Sequence, residues 1–258
     1  MLSAECGAEE DTREQWQIRA LVEYDGTDYF GFQIQSGKPT IQGELEQVLA
    51  RLAGNPSRIR YAGRTDAGVH ATGQVIMATL AWRHSITDLE RAWNALLPSA
   101  IAIRQVEPVT EPGFHPRYSA RSRIYRYSVW TARLRSPLHQ RYAHHEPKPL
   151  NVALMNEAAA LLVGAHDFAS FGQPTQGEVT IREVHRANWQ LSGQLLVFEI
   201  EANAFLRRMV RTIVGTLIEV GKGRQSVAGV AEILAARDRS TAAPPAPACG
   251  LCLVEVKY

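Results

Sequence analysis

Apolar and polar residues alternate along 16–24, the period of a strand with one buried face. From 40 to 53 the period lengthens: Ile41, Leu45, Val48, Leu49 and Leu52 fall on one helical face, and Thr40 is placed to cap it. Extended patterns at 58–62 and 74–82 flank a glycine-rich turn. A second helical pattern over 87–97 carries Leu89, Trp93, Leu96 and Leu97, Pro98 stops it, and 101–106 is again extended. The second half follows a similar order. Its pattern predicts a strand at 121–130, a helix at 152–163, strands at 181–191 and 195–202, helices at 205–220 and 227–236, and a strand at 251–256.

This order predicts an α+β chain of two similar α/β lobes, with no residue-level repeat between them. The boundary falls near 111–116, giving lobes at 16–110 and 111–258 behind an acidic disordered tail at 1–15. The proline-rich stretch 241–248 reads as a short loop, since a single strand follows it.

Composition narrows the class. The chain has 258 residues, 45% of them hydrophobic, enough for one large core or two sharing a face. No apolar run is long enough to span a membrane, and the early acids Glu5, Glu9, Glu10, Asp11 and Glu14 are unlike a signal peptide. Three cysteines are too few for a disulfide framework. A cytoplasmic protein is expected. Cys249 and Cys252 have C-x-x-C spacing but no second pair completes a zinc site, so core packing is their expected role.

A net charge of +2 says little, but its distribution says more. Between Pro112 and His145 no acid occurs, while Arg117, Arg121, Arg123, Arg126, Arg133, Arg135 and Arg141 are interleaved with Tyr118, Tyr125, Tyr127, Trp130 and Tyr142. Guanidinium groups pair with phosphates and aromatic faces stack on unpaired bases, so the window suits single-stranded or unstacked RNA. The same window also fits a solvated strand face whose arginines meet acids elsewhere.

The most distinctive segment runs Tyr61-Ala62-Gly63-Arg64-Thr65-Asp66-Ala67-Gly68-Val69-His70-Ala71-Thr72-Gly73-Gln74-Val75. Three glycines relax the backbone around one carboxylate, which presents Asp66 on a tight loop between strands. Taken alone, this describes an Asx-turn as well as a catalytic loop, and the spacing matches no dinucleotide or Walker phosphate loop.

The run from Gly63 to Ala71, with Gly73-Gln74-Val75 behind it, resembles the active-site motif of TruA-type tRNA pseudouridine synthases. Other segments resemble that family in the same order. They are Tyr24-Asp25-Gly26-Thr27 with Gly31-Phe32-Gln33-Ile34-Gln35, Phe114-His115-Pro116-Arg117, Tyr125-Arg126-Tyr127, Asp167-Phe168-Ala169-Ser170-Phe171, Asn203-Ala204-Phe205-Leu206 with Met209-Val210-Arg211, and Ala246-Pro247-Ala248 with Gly250-Leu251. Phe32 and Ile34 stand where many members carry Trp and Arg. The resemblance spans roughly 21–258 and implies a pseudouridine synthase fold: duplicated ferredoxin-like or RRM-like units whose sheets form a central cleft. It also implies a homodimer in which one tRNA bridges both subunits, acting without cofactor or metal on uridines 38, 39 and 40 of the anticodon stem-loop.

Converting uridine to pseudouridine breaks the C1′–N1 bond and joins C1′ to C5 of the same base, with no redox change and no imported group. The step needs a carboxylate as nucleophile at C1′, as adduct former at C6, or as base at C2′. By resemblance that carboxylate is Asp66. A guanidinium must hold it charged in a cleft, and both Arg64, on the same loop, and Arg211, at the edge of the apolar face of the 205–220 helix, are candidates. The resemblance assigns Arg211 to the carboxylate and Arg64 to RNA. It makes Tyr125 the platform that stacks on the flipped base and helps remove the C5 proton, and sets Gln33, Arg126 and His70 against RNA. A non-catalytic RNA-binding protein and a synthase acting on ribosomal RNA are the alternatives, and a nucleotide-handling metabolic enzyme is disfavoured because the arginines extend over more than a mononucleotide requires.

Overall fold

The computed structural model describes residues 14–174 and 177–258. The expected tail lies outside the described residues except at positions 14 and 15, which already pair with Trp82 and Ala81. Among the described residues, ten strands and five α-helices follow in the order β1 Glu14–Tyr24, α1 Ile41–Ala53, β2 Arg60–Tyr61, β3 His70–Trp82, α2 Ile86–Leu96, β4 Ile101–Pro108, β5 Ser122–Trp130, β6 His144–His145, α3 Val152–Ala160, β7 Gly164–Asp167, β8 Ile181–Ser192, β9 Leu195–Ala202, α4 Met209–Gly221, α5 Val227–Ala236 and β10 Leu251–Lys257. No helix among the described residues is long and apolar enough to cross a membrane.

The strands join into one mixed sheet in the order β4-β1-β3-β10-β5-β9-β8-β7, with β2 on β3 and β6 on β5. Strand β10 is the seam. It runs parallel to β3 through Cys252 opposite His70 and antiparallel to β5 through Leu253 opposite Tyr125. The catalytic-type loop after β2 and the arginine-rich strand β5 are therefore neighbours across a single strand.

Alternation along the strands decides what each face carries. On β5 and β9, Tyr125, Tyr127 and Val129 pair with Ile200, Phe198 and Leu196 as buried residues, while Arg126 and Glu199 sit opposite one another on the other face. In β1, Ile18, Ala20 and Val22 are buried and Arg19 and Leu21 are not. The apolar side packs with the helices into one continuous core that includes Leu45, Leu49, Trp93, Met155, Ile213 and Leu217.

Helix starts follow their capping chemistry. Thr40 caps α1 by accepting from Gly43 N–H, and Ser85, Asn151 and Ser226 do the same for α2, α3 and α5. Helix α4 differs from expectation. It begins at Met209, not at 205, behind a left-handed Arg208 with φ of 64°. The reason is lateral: Arg207 N–H donates to Gln173 O at 2.8 Å and Arg207 O accepts from Gln173 N–H at 3.3 Å, so these groups are unavailable to a helix. Phe205 is thereby freed to meet Tyr125. The predicted helix at 152–163 also ends early, because left-handed Gly164 (φ 107°) turns the chain into the short strand β7.

Candidate active site

The loop between β2 and β3 is fixed from three sides. Gln74, fully buried, donates to Gly63 O at 2.7 Å and accepts from Gly63 N–H at 3.3 Å, closing the base of the loop. Tyr24 Oη lies 2.8 Å from Thr65 Oγ1, and burial pushes its phenol far above the ordinary range. The segment after β1 packs directly beneath: Phe32 N–H donates to Thr65 O and Gly68 N–H donates to Tyr29 O. Gly31, with φ of 94°, admits no side chain, since a Cβ there would stand 2.7 Å from Thr65 O. The two motifs are two halves of one packed loop pair.

Asp66 projects from this loop with its side chain 29% exposed, open enough for a substrate to reach. Arg211 approaches it from α4, placing Nη1 3.2 Å from Asp66 Oδ2 across 145 residues of sequence. The guanidinium is aimed by the proline-rich loop: Arg211 Nε donates to Ala246 O at 2.8 Å, and Ala246 N–H returns a bond to Arg211 O at 2.9 Å. A stretch expected to be a plain connector thus orients the cation.

Both groups line a cleft of about 650 Å³, together with Tyr125, Phe205, Arg64 and Gln33. The Tyr125 ring stands edge-on to Phe205, centroids 5.1 Å apart and planes at 85°. Burial pushes the Tyr125 phenol up to about 12, with the charge of Asp66 adding to it against Arg123. The side chain is therefore a neutral phenol at physiological pH. Arg64 and Gln33 are exposed at the cleft wall.

Two residues expected against RNA lie outside this cleft. Arg126 points to the opposite face of the sheet from Tyr125, as strand alternation requires, and pairs with Glu199 at 2.8 Å. His70 is buried behind the loop, where its Nδ1 accepts from Gly26 N–H at 3.1 Å and lies 3.2 Å from Asp25 Oδ1, and its ring meets Tyr142 at 5.1 Å. The arginine-rich window is not one surface either. Arg141 binds Asp25, while Arg123 is largely withdrawn from solvent, its guanidinium donating to the carbonyls of Ala62, Arg117 and Asn203. Such a staple joins the loop, the connector between the halves and the entry to α4. Cys252 and Cys249 are half-buried, and burial raises both thiols.

Sequence reasoning missed Arg123 as a structural cation, Gln74 as the loop clasp and Arg182 in the cleft wall. Gln74 carried a signal: a lone amide at the start of an otherwise apolar strand needs partners. Arg123 and Arg182 carried none that distinguishes them from other arginines.

A carboxylate in a partly open cleft, an arginine aimed at it and an aromatic wall are the parts of an enzyme active site. Comparison with known proteins narrows that class. The family model described as tRNA pseudouridine synthase matches residues 20–119 and 158–258. The chain is 44% identical over 244 residues to the tRNA pseudouridine synthase A of Geobacillus kaustophilus (strain HTA426), covering 94% of each protein. It is 45% identical over 250 residues to the protein of that name from Aeromonas hydrophila, covering 94% of this chain and 90% of the relative. With the same-named protein of Chloroflexus aurantiacus (strain ATCC 29366) it shares 44% over 249 residues, 93% of this chain and 88% of the relative. The chain belongs to the tRNA pseudouridine synthase family, and it is an isomerase.

Proposed function

We propose that this enzyme isomerises uridine to pseudouridine at positions 38, 39 and 40 in the anticodon stem-loop of tRNA, with Asp66 as the catalytic carboxylate. The observation that carries the reading is the 3.2 Å approach of Arg211 to Asp66 within the cleft that also holds Tyr125. Arg211 holds the carboxylate aimed, since its second bond, to Ala246, leaves it little freedom to turn away. The target base leaves its stem and lies against Tyr125, with Phe205 bracing the ring from its edge. Arg64 and Gln33 hold the displaced strand at the cleft mouth.

The carboxylate attacks C1′, adds to C6 or removes the C2′ proton. Each route ends with C1′ joined to C5, the C5 proton released and N1 protonated, so the atoms balance without cofactor or metal. Tyr125, a neutral phenol, takes the C5 proton only while passing on its own. His70 and Arg126, on the other side of the loop and sheet, act on the loop and on Glu199 and not on the base.

We read the fold as duplicated lobes at 16–110 and 111–258. Strand order supports this: β4-β1-β3, with β2 on β3, reappears as β10-β5-β9-β8, the ferredoxin-like arrangement in both cases. The family model matching once in each half supports it as well. The working form is a cytoplasmic homodimer with one tRNA across both subunits, and light scattering of the enzyme with and without tRNA tests that state. The activity itself is tested with tRNA tritiated at C5 of uridine. The enzyme releases tritium, Asp66→Ala does not, and modified positions in tRNA from a deletion strain are lost at 38, 39 and 40. Release by Asp66→Ala removes Asp66 from the chemistry, and losses in ribosomal RNA alone redirect the substrate.

A further inference from the structure

A second, smaller recess opens beside the cleft. It has a volume of about 410 Å³, and Gln33, Tyr61 and Arg117 line both, so the two are continuous. Arg58, Arg60, His115 and Tyr118 line it together with Ile34, Gln42 and Ile59, and no acidic side chain among the described residues does. Glu46 stands behind, where it meets Arg58 Nη1 at 3.5 Å and accepts from Ile59 N–H.

The turn from His115 to Ser119 is held stiffly. His115 N–H donates to Ser119 Oγ at 3.0 Å, Ser119 N–H donates to His115 O at 2.9 Å, and Arg117 N–H donates to His115 Nδ1 at 3.1 Å. From below, Arg123 binds Arg117 O at 2.6 Å. On this turn the Tyr118 ring is presented to solvent, 71% exposed, with the His115 ring 4.5 Å away and the Arg117 guanidinium 5.6 Å from its centroid. Burial and the charges of Arg60 and Arg117 hold His115 below the usual imidazole range, so the ring beside Tyr118 is neutral at physiological pH.

We propose that this recess is a second nucleotide subsite, which takes the unpaired nucleotide flanking the target uridine in the same RNA strand. Its base stacks on Tyr118, and its phosphate meets Arg58 and Arg60. A pre-ordered aromatic plane among cations, opening into the cleft that receives the target base, is the arrangement that captures single-stranded RNA without reading its sequence. The inference rests on the tRNA reading above and extends it: the enzyme unstacks two nucleotides, and the second anchors the strand while the first reacts.

The test is a binding cycle between protein and RNA. Equilibrium affinities of the enzyme, Tyr118→Ala and Tyr118→Phe are measured for an anticodon stem-loop and for the same RNA made abasic at either flank of the target. Tyr118→Ala is expected to weaken binding of the intact RNA about tenfold and Tyr118→Phe less than about twofold, the range set by one base on one aromatic ring. The abasic flank is expected to weaken the native enzyme equally and Tyr118→Ala no further. Arg58→Ala and Arg60→Ala are each expected to reduce the salt slope of binding by about one. Independent, additive losses, or unchanged affinity in Tyr118→Ala, overturn the subsite, as does failure of the native enzyme to bind the stem-loop. Coupling without tritium release keeps the subsite and removes the proposed reaction. Tritium release without coupling does the reverse.

Discussion

At the scale of single residues the site reduces to what holds one carboxylate in place. Asp66→Asn keeps the shape of the loop and removes the charge, and tritium release is expected to fall by about 10³-fold or more, with tRNA binding retained. Arg211→Lys keeps a cation but loses the fork that reaches Ala246 and Asp66 together, so turnover is expected to fall about 10²-fold. Tyr125→Phe separates the two uses of the ring. Stacking survives, so affinity stays within about twofold, while single-turnover rate drops by about 10²-fold because the proton relay is gone. An unchanged rate would assign Tyr125 to stacking alone. The glycine-flanked loop around Asp66 was legible as a loop, and its chemical role came only from the resemblance. Arg211 was legible only as an arginine at the edge of an apolar helix face, since its partner is 145 residues away. The positions of Arg126 and His70 outside the Asp66 cleft follow from backbone geometry that a motif does not report. Adjacent residues on a strand face opposite ways, and a histidine inside a motif can serve the loop's underside.

At the scale of elements, the loop pair and the entry to α4 were the least legible parts. Both depend on backbone groups bonded across the chain, and periodicity reports side chains instead. Helix α4 was expected four residues early for that reason: 205–208 is apolar and basic in a helical pattern, yet its main chain is tied to Gln173. By contrast α1, α5 and β9 came out as the pattern predicts, because each has one buried face and a clear punctuation residue. Two substitutions test the loop pair. Gln74→Leu leaves both polar groups of the part-buried Gly63 without their partner and is expected to cost about 1–3 kcal/mol in urea unfolding. Gly26→Ala places a Cβ 2.0 Å from Val69 O, and a loss of about 1–3 kcal/mol is expected as the two segments part. Both should lower tritium release by more than their stability loss explains, since the strain falls on the loop that carries Asp66.

For the whole molecule, the joint core buries tyrosines from both halves. Tyr24, Tyr125, Tyr127 and Tyr258 all have phenols raised first of all by burial. In the unfolded chain these groups release protons near pH 10, while the folded protein keeps them bound. The unfolded state then holds fewer protons, so stability falls as pH rises above 10, by up to about 1.4 kcal/mol per pH unit for each group. Alkaline titration should give a steep cooperative transition in which tyrosinate absorbance and loss of helical circular dichroism rise together. Gradual ionisation ahead of unfolding would mean the rings are accessible in the native state.

The seam at β10 also sets a clock. Thr72 in β3 and Val254 in β10 are bonded across 182 residues, so β3 must wait for that much more chain before its far edge is covered. At the pace of ribosomal synthesis, roughly 5–20 residues per second, the wait is on the order of ten to forty seconds. Through that interval the start of β3, next to the catalytic loop, lacks its neighbour, while β2 already covers Ile76 and Met77. The site is complete only once α4, which brings Arg211 to Asp66, and β10, which joins β3 to β5, have both been made.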